Sequence, residues 1–174
     1  MSDIIRFIRA NVELDDYSFD AYELPDGERR VGFAKVSTIL GYEKDWVGAL
    51  ARKGKKQLEA MQEMGYTGLA VEGQIWEREQ GGGGTVKTLS VPDFNKILGY
   101  ETIEKGNRRA GVLLFAMSEV GIERTIELAF AGKSMERILS KIVHYSRWSP
   151  EEFMQVMAEN REELSRLRFG LGSK

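Results

Sequence analysis

Apolar positions change their spacing twice along this chain, and the changes divide it into segments. Phe19, Tyr22 and Leu24 lead into Pro25-Asp26-Gly27-Glu28, in which Pro presets the first turn angle and Gly relieves the return. Arg29 to Lys35 follows, and the pair reads as a β-hairpin. Residues 4–8 alternate poorly and read either as a short strand or as a frayed arm. The spacing then becomes helical. Ser37 opens a short helix through Leu40, a second runs from Asp45 to Arg52, and a third from Lys55 to Met64. Gly41, Gly54 and Gly65 end them. Tyr66 to Glu79 and Thr85 to Val91 are rich in β-branched and aromatic residues, and they flank Gly81 to Gly84. This predicts a hairpin whose tip stays flexible, because ordering four glycines is entropically costly.

From Pro92 the helical period dominates, with helices predicted over 92–104, 107–120, 121–131 and 134–147. Ser149-Pro150-Glu151-Glu152 combines an N-cap, a first-turn Pro and a capping-box Glu. The helix it starts runs to about Arg168, and residues 170–174 form a loose tail. The pattern predicts an α+β fold. A small N-terminal antiparallel sheet carries an embedded helix-turn-helix and a Gly-rich hairpin, and an α-helical C-terminal half follows. The expected division is 1–132 for the first unit and 133–174 for the C-terminal helices.

Composition narrows the chemistry. The 174 residues contain no Cys and one His, His144. There is then no disulfide framework, thiolate zinc site or iron–sulfur cluster, and no His-rich metal site. No cofactor is expected. No apolar run approaches the length of a membrane span, and the N-terminus lacks an apolar leader, so the expected location is the cytoplasm. The net charge of −2 conceals an asymmetry. Six basic residues face ten acidic ones in residues 1–50, whereas residues 51–110 carry ten basic against eight acidic.

The basic residues cluster where the helix pair ends. Val36, Ile39 and Leu40 give the first helix an apolar face, and Trp46, Val47 and Leu50 do the same for the second. That leaves Lys44, Asp45, Gly48, Ala49, Arg52 and Lys53 exposed, the pattern of small residues and basic ends that a DNA-recognition helix needs. Lys55 and Lys56 extend the run to hold phosphates. Arg78 and Lys87 flank the glycine tract as a wing, and Arg108 and Arg109 offer a further backbone contact. A helical hairpin in an enzyme core and an inert surface loop would leave similar patterns.

Ile39-Leu40-Gly41-Tyr42-Glu43 recurs as Ile97-Leu98-Gly99-Tyr100-Glu101. The spacing suits either a duplicated unit or two short helices that each end at Gly with Tyr packing back, and the unmatched flanks favour the latter. The hairpin, the helix ending in Leu40-Gly41-Tyr42, the basic segment, the second hairpin and the strand–helix passage Lys87 to Phe94 come in an order that resembles the BRO-N domain of viral and phage antirepressor-type proteins. Asn107-Arg108-Arg109-Ala110 through Val120 stands where that family has a basic paired helix. The resemblance covers about residues 17–130. Where the family usually has an aromatic–Val pair followed by Leu-Pro, residues 116–122 read Ala-Met-Ser-Glu-Val-Gly-Ile. The resemblance implies double-stranded DNA binding, often in transcriptional control, and no catalytic residues.

Phe153, Met157, Asn160, Leu164, Leu167 and Leu171 are spaced as a coiled-coil seam, with Asn160 as a register-setting polar residue. They predict either a homodimer or packing on the chain's own domain. Two other classes stay open. A metal-dependent nuclease would draw on Glu72, Glu77, Glu79, Asp93 and Lys87, although no Glu-x-Lys triplet is present there. A helical module would bind protein alone. His144 on its helix suits a surface or core-edge position. Trp76 is able to stack on single-stranded nucleic acid but has no basic or aromatic neighbour in sequence.

Overall fold

The computed structural model describes residues 4–76 and 84–159. Five strands close into a barrel in the order β1-β2-β3-β5-β4, with β1 Arg6–Val12, β2 Phe19–Glu23, β3 Arg29–Gly32, β4 Val71–Ile75 and β5 Thr85–Ser90. Four of the neighbouring pairs are antiparallel. The fifth, β1 with β4, is parallel and closes the ring through Arg6 opposite Gln74 and Phe7 opposite Ile75. The fold is thus mixed α+β with its sheet in the N-terminal part, but the sheet is a closed barrel and not wholly antiparallel. Residues from Arg6 onward are a strand, not a frayed arm, because β2 and β4 hold them on both sides.

Between β2 and β3 the predicted turn forms. Gly27 has φ +86° and donates its N–H to Leu24, and the Glu28 N–H is held by the Asp26 carboxylate at 2.9 Å. The strand after it ends at Gly32, three residues earlier than Lys35. A Cβ on Gly32 would lie 3.0 Å from the Tyr22 ring, so the chain passes closely there and turns at once into helix α1, Phe33–Ile39. Ser37 therefore lies inside α1 and does not start it. Its hydroxyl donates to the Phe33 carbonyl at 2.9 Å. Helices α2, Trp46–Lys53, and α3, Lys55–Glu63, follow.

Residues 66–70 precede β4 without joining it, against the strand expected from Tyr66. The buried Asp93 carboxylate takes the N–H groups of Thr67 and Gly68 and the Thr67 hydroxyl, at 2.8, 3.1 and 2.7 Å. Gly68 adopts φ +68° beside it. Arg30, also buried, braces the same loop from the barrel side, donating to the Leu69 carbonyl at 2.8 Å and the Thr88 hydroxyl at 3.0 Å.

Helix α4, Val91–Lys105, starts where Ser90 caps the Asp93 N–H and Pro92 fills the first turn. Helices α5 Arg108–Val120, α6 Ile122–Phe130 and α7 Glu136–Ser146 succeed it. Residues 150–159 form a further helix, α8. Its capping box is present: the Glu152 N–H reaches the Ser149 hydroxyl at 3.2 Å, and the Ser149 N–H reaches the Glu152 carboxylate at 2.6 Å. Buried apolar residues from Val12 through Phe153 make one cluster, with Phe94, Ile97, Leu98 and Leu113 among its largest members. Among the described residues no helix is long and apolar enough to cross a membrane.

The repeated pentapeptide takes two conformations. Gly41 has φ +89° and ends α1, whereas Gly99 lies inside α4. Gly99 does not end a helix, because Tyr100, Glu101 and Thr102 after it are buried and carry the helix on. A Cβ at Gly99 would meet only the end of the Met64 side chain, in ordinary contact at 3.6 Å, so the packing of α3 on α4 does not require the glycine.

Candidate nucleic-acid interface

The α1–α2 pair is held at its turn from several directions. The Ser37 hydroxyl accepts the Val47 N–H at 3.2 Å, tying the first turn of α2 to the middle of α1. Tyr42 and Trp46 stack with ring centres 4.3 Å apart. The last carbonyls of α1 would otherwise lack partners. Ile39 receives the Arg109 guanidinium at 2.5 Å, and Leu40 receives the Asn107 amide at 3.0 Å. Beneath them lies Glu101, fully buried at 0% exposure. Its carboxylate accepts the Tyr42 hydroxyl at 2.6 Å, the Gln57 amide at 3.1 Å and the Asn107 amide at 3.2 Å. The two copies of the pentapeptide thus meet through Tyr42 and Glu101.

This scaffold leaves an open groove of about 790 Å³ between the helix pair and the barrel. Lys35 and Thr38 of α1, Lys44, Gly48 and Arg52 on the α2 side, and Thr85 and Lys87 of β5 line it. Asp20 and Asp45 also line it, so cations outnumber acids four to two. No ion pair among the described residues engages Lys35, Lys44 or Arg52. Lys87 lies 3.8 Å from Glu72, with both side chains largely in solvent. Such a pair is worth under about 1 kcal/mol and yields readily to a phosphate. A Cβ on Gly48 would meet nothing nearer than a Phe33 ring carbon at 3.9 Å, so the wall of α2 is open there.

The groove gathers Lys44, Arg52 and Lys87 and adds Lys35, which the sequence reading missed. Placing Lys35 at the end of a strand hid it; continuing the helical period back to Phe33 would have put it one turn from Thr38. Other expected contacts lie elsewhere. Ala49 is buried, not exposed, because it faces the interior with Val47 and Leu50. Lys53 borders a separate depression with Tyr42, Trp46 and Gln57. Lys55 sits 4.0 Å from Glu59, and Lys56 is exposed. Arg108 donates to the Ser146 carbonyl, while Arg109 serves Ile39 and Asp16 and covers the Tyr17 ring at 4.8 Å. These two arginines hold the protein's own backbone and do not face the groove. Arg78, Glu77, Glu79, Asn160, Leu164, Leu167 and Leu171 lie outside the described residues.

Of the carboxylates considered for a metal, the two that are described, Glu72 and Asp93, do not converge. Asp93 is enclosed by its three donors and Glu72 pairs with Lys87. Among the described residues no three His, Asp or Glu side chains could share an ion. Exposed His144 meets Tyr145 and Trp148 edge to face. Phe153 is 4% exposed, packed against Gly111 and among Phe115 and Trp148. It belongs to this chain's own core and is not free for an interchain seam. Met157, on the same helix, is half-buried.

Burial keeps three phenols protonated. Tyr22, on the groove floor, is pushed up to about 12 by burial and then by Asp20. Tyr42 rises to about 12 by burial and by its bond to Glu101, and Tyr66 to about 12 by burial and Asp93. Unfolded phenols ionise near 10. Between the two values the unfolded chain binds fewer protons, so stability is full below pH 10 and falls as pH rises through 12. Urea midpoints measured across that window are expected to drop, and Tyr42→Phe to drop less steeply.

Against known protein families, curated proteins and solved structures, the chain matches none.

Proposed function

We propose that this protein binds double-stranded DNA through the groove between α2 and β5, as a regulator and not as a catalyst. The observation that carries the reading is the gathering of Lys35, Lys44, Arg52 and Lys87 from separate elements onto one open groove. Four cations along a concave surface suit the regular negative charge of a nucleic-acid backbone. The small Gly48 between Lys44 and Arg52 lets that backbone approach α2, whose exposed edge is the part nearest the bases. Lys53, Lys55 and Lys56 on the shoulder add long-range attraction. The order of elements that resembles BRO-N domains points to the same class, and the reading needs neither a metal nor a second chain.

Fluorescence anisotropy of a labelled duplex, titrated across salt concentrations, tests this. Binding is expected to weaken steeply with salt. Lys44→Ala with Arg52→Ala should reduce the log–log slope by about 2, close to one unit for each phosphate left without its cation. Gly48→Leu, which fills the groove without changing charge, is expected to weaken binding at least tenfold. Wild-type binding that ignores salt, or a double variant that binds like wild type, rejects the groove.

A further inference from the structure

Beyond the β5 edge of the groove lies an exposed tryptophan. Trp76 is 52% exposed just past the end of β4. The Arg6 guanidinium of β1 covers its ring, 4.5 Å from the centroid. Barrel closure creates this pair, since the two residues are 70 positions apart and β1 meets β4 only through the parallel contact. Register places Glu72 opposite Lys87 and Gln74 opposite both Arg6 and Thr85. Alternate residues of a strand share a face, so Trp76, Gln74 and Glu72 lie on one exposed surface with Arg6, Thr85 and Lys87. Thr85 and Lys87 also line the groove. The platform therefore continues the groove across the β4–β5 pairing, with Trp76 two residues beyond the last pair, Gln74 with Thr85.

Exposed Ile4 and Ile8 give the platform an apolar flank. A half-exposed indole backed by a guanidinium, with aliphatic neighbours and cations on one side, has the composition of a surface that stacks a base while its neighbours hold the phosphates. Inside a duplex both faces of a base are covered by its stacked neighbours, whereas an unpaired base can turn one toward the indole. We infer that Trp76 stacks an unpaired base, so that the preferred ligand of the groove is a duplex carrying a single-stranded extension. The inference rests on the nucleic-acid reading of the groove.

Anisotropy with two probes, a blunt duplex and the same duplex with a short single-stranded extension, tests it. The extension is expected to tighten binding about tenfold. Trp76→Ala should remove that gain and leave blunt-duplex affinity unchanged, and Trp76→Phe, which keeps an aromatic face, should retain most of it. The Trp76 ring is half exposed and meets Arg6 at the surface, while the backbone N–H that pairs with Phe7 is kept in any variant, so both variants should fold. Equal affinity for the two probes, or a gain that survives Trp76→Ala, overturns the stacking site while the groove stands. If neither probe binds, or if Lys44→Glu with Arg52→Glu binds both as wild type does, the groove reading fails and this inference with it.

Discussion

Gly73→Val is expected to destabilise the protein by about 3–5 kcal/mol, the largest effect expected of any single substitution proposed for this fold. A Cβ at that position would stand 2.6 Å from the Ile5 carbonyl and 2.7 Å from two carbons of the Phe7 ring. Neither neighbour has room to yield. One is backbone, and the other is a ring with no exposure at all. The parallel strands β1 and β4 would have to separate, breaking the bonds from the Gln74 N–H to Ile5 at 2.8 Å and from the Trp76 N–H to Phe7 at 2.9 Å. Opening this seam exposes Phe7, worth about 2–3 kcal/mol, and each broken bond adds about 1 kcal/mol. Urea denaturation reads the effect. Gly48→Ala is the control: its Cβ meets only a ring carbon at 3.9 Å, so helix propensity should raise stability by about 0.5–1 kcal/mol. A Gly73→Val protein as stable as wild type would mean that the barrel does not close between β1 and β4.

Glu101→Leu is expected to cost about 3 kcal/mol. The buried carboxylate is the shared acceptor for Tyr42, Gln57 and Asn107, which come from the α1–α2 turn, α3 and the N-cap of α5. Without it three part-buried donors lose their shared acceptor, at about 1 kcal/mol each. Glu101→Gln keeps the shape but replaces one acceptor oxygen with a donor, so it should lose part of the same stability. Tyr42→Phe removes one donor and should cost about 1 kcal/mol. In the Glu101→Leu background that cost should vanish, because the hydroxyl has no acceptor left to lose. Additive costs in this cycle would show that Tyr42 and Glu101 do not act together. Because the same network fixes the end of α1 and the start of α2, Glu101→Leu should also weaken any ligand of the groove, although Glu101 does not line it.

These two positions mark the limit of local sequence patterns. The helices after Pro92 follow from apolar spacing, and Ser149 with Glu152 forms the capping box that its spacing predicts. The turn at Pro25 to Glu28 is equally local, since Pro, Asp and Gly each supply their own part of it. The basic run was legible as composition but not as a surface. Neighbouring residues on a helix point about 100° apart, so Arg52 and Lys53 border different depressions although they adjoin in sequence. Arg108 and Arg109 look like phosphate contacts in the sequence, yet carbonyls of distant segments take them up.

The sequence by itself determined the α+β class, the helical C-terminal part, the cap at Ser149 and the exclusion of thiolate chemistry. Each depends on residue type or on a spacing of a few positions. Tertiary structure alone decided that the sheet closes through a parallel seam and that Gly99 continues a helix while Gly41 ends one. It also put Lys35 with Lys44, Arg52 and Lys87 and laid Arg6 on Trp76. Identical pentapeptides have identical local preferences. The burial of the residues that follow separates their fates, and burial depends on what the rest of the chain brings alongside.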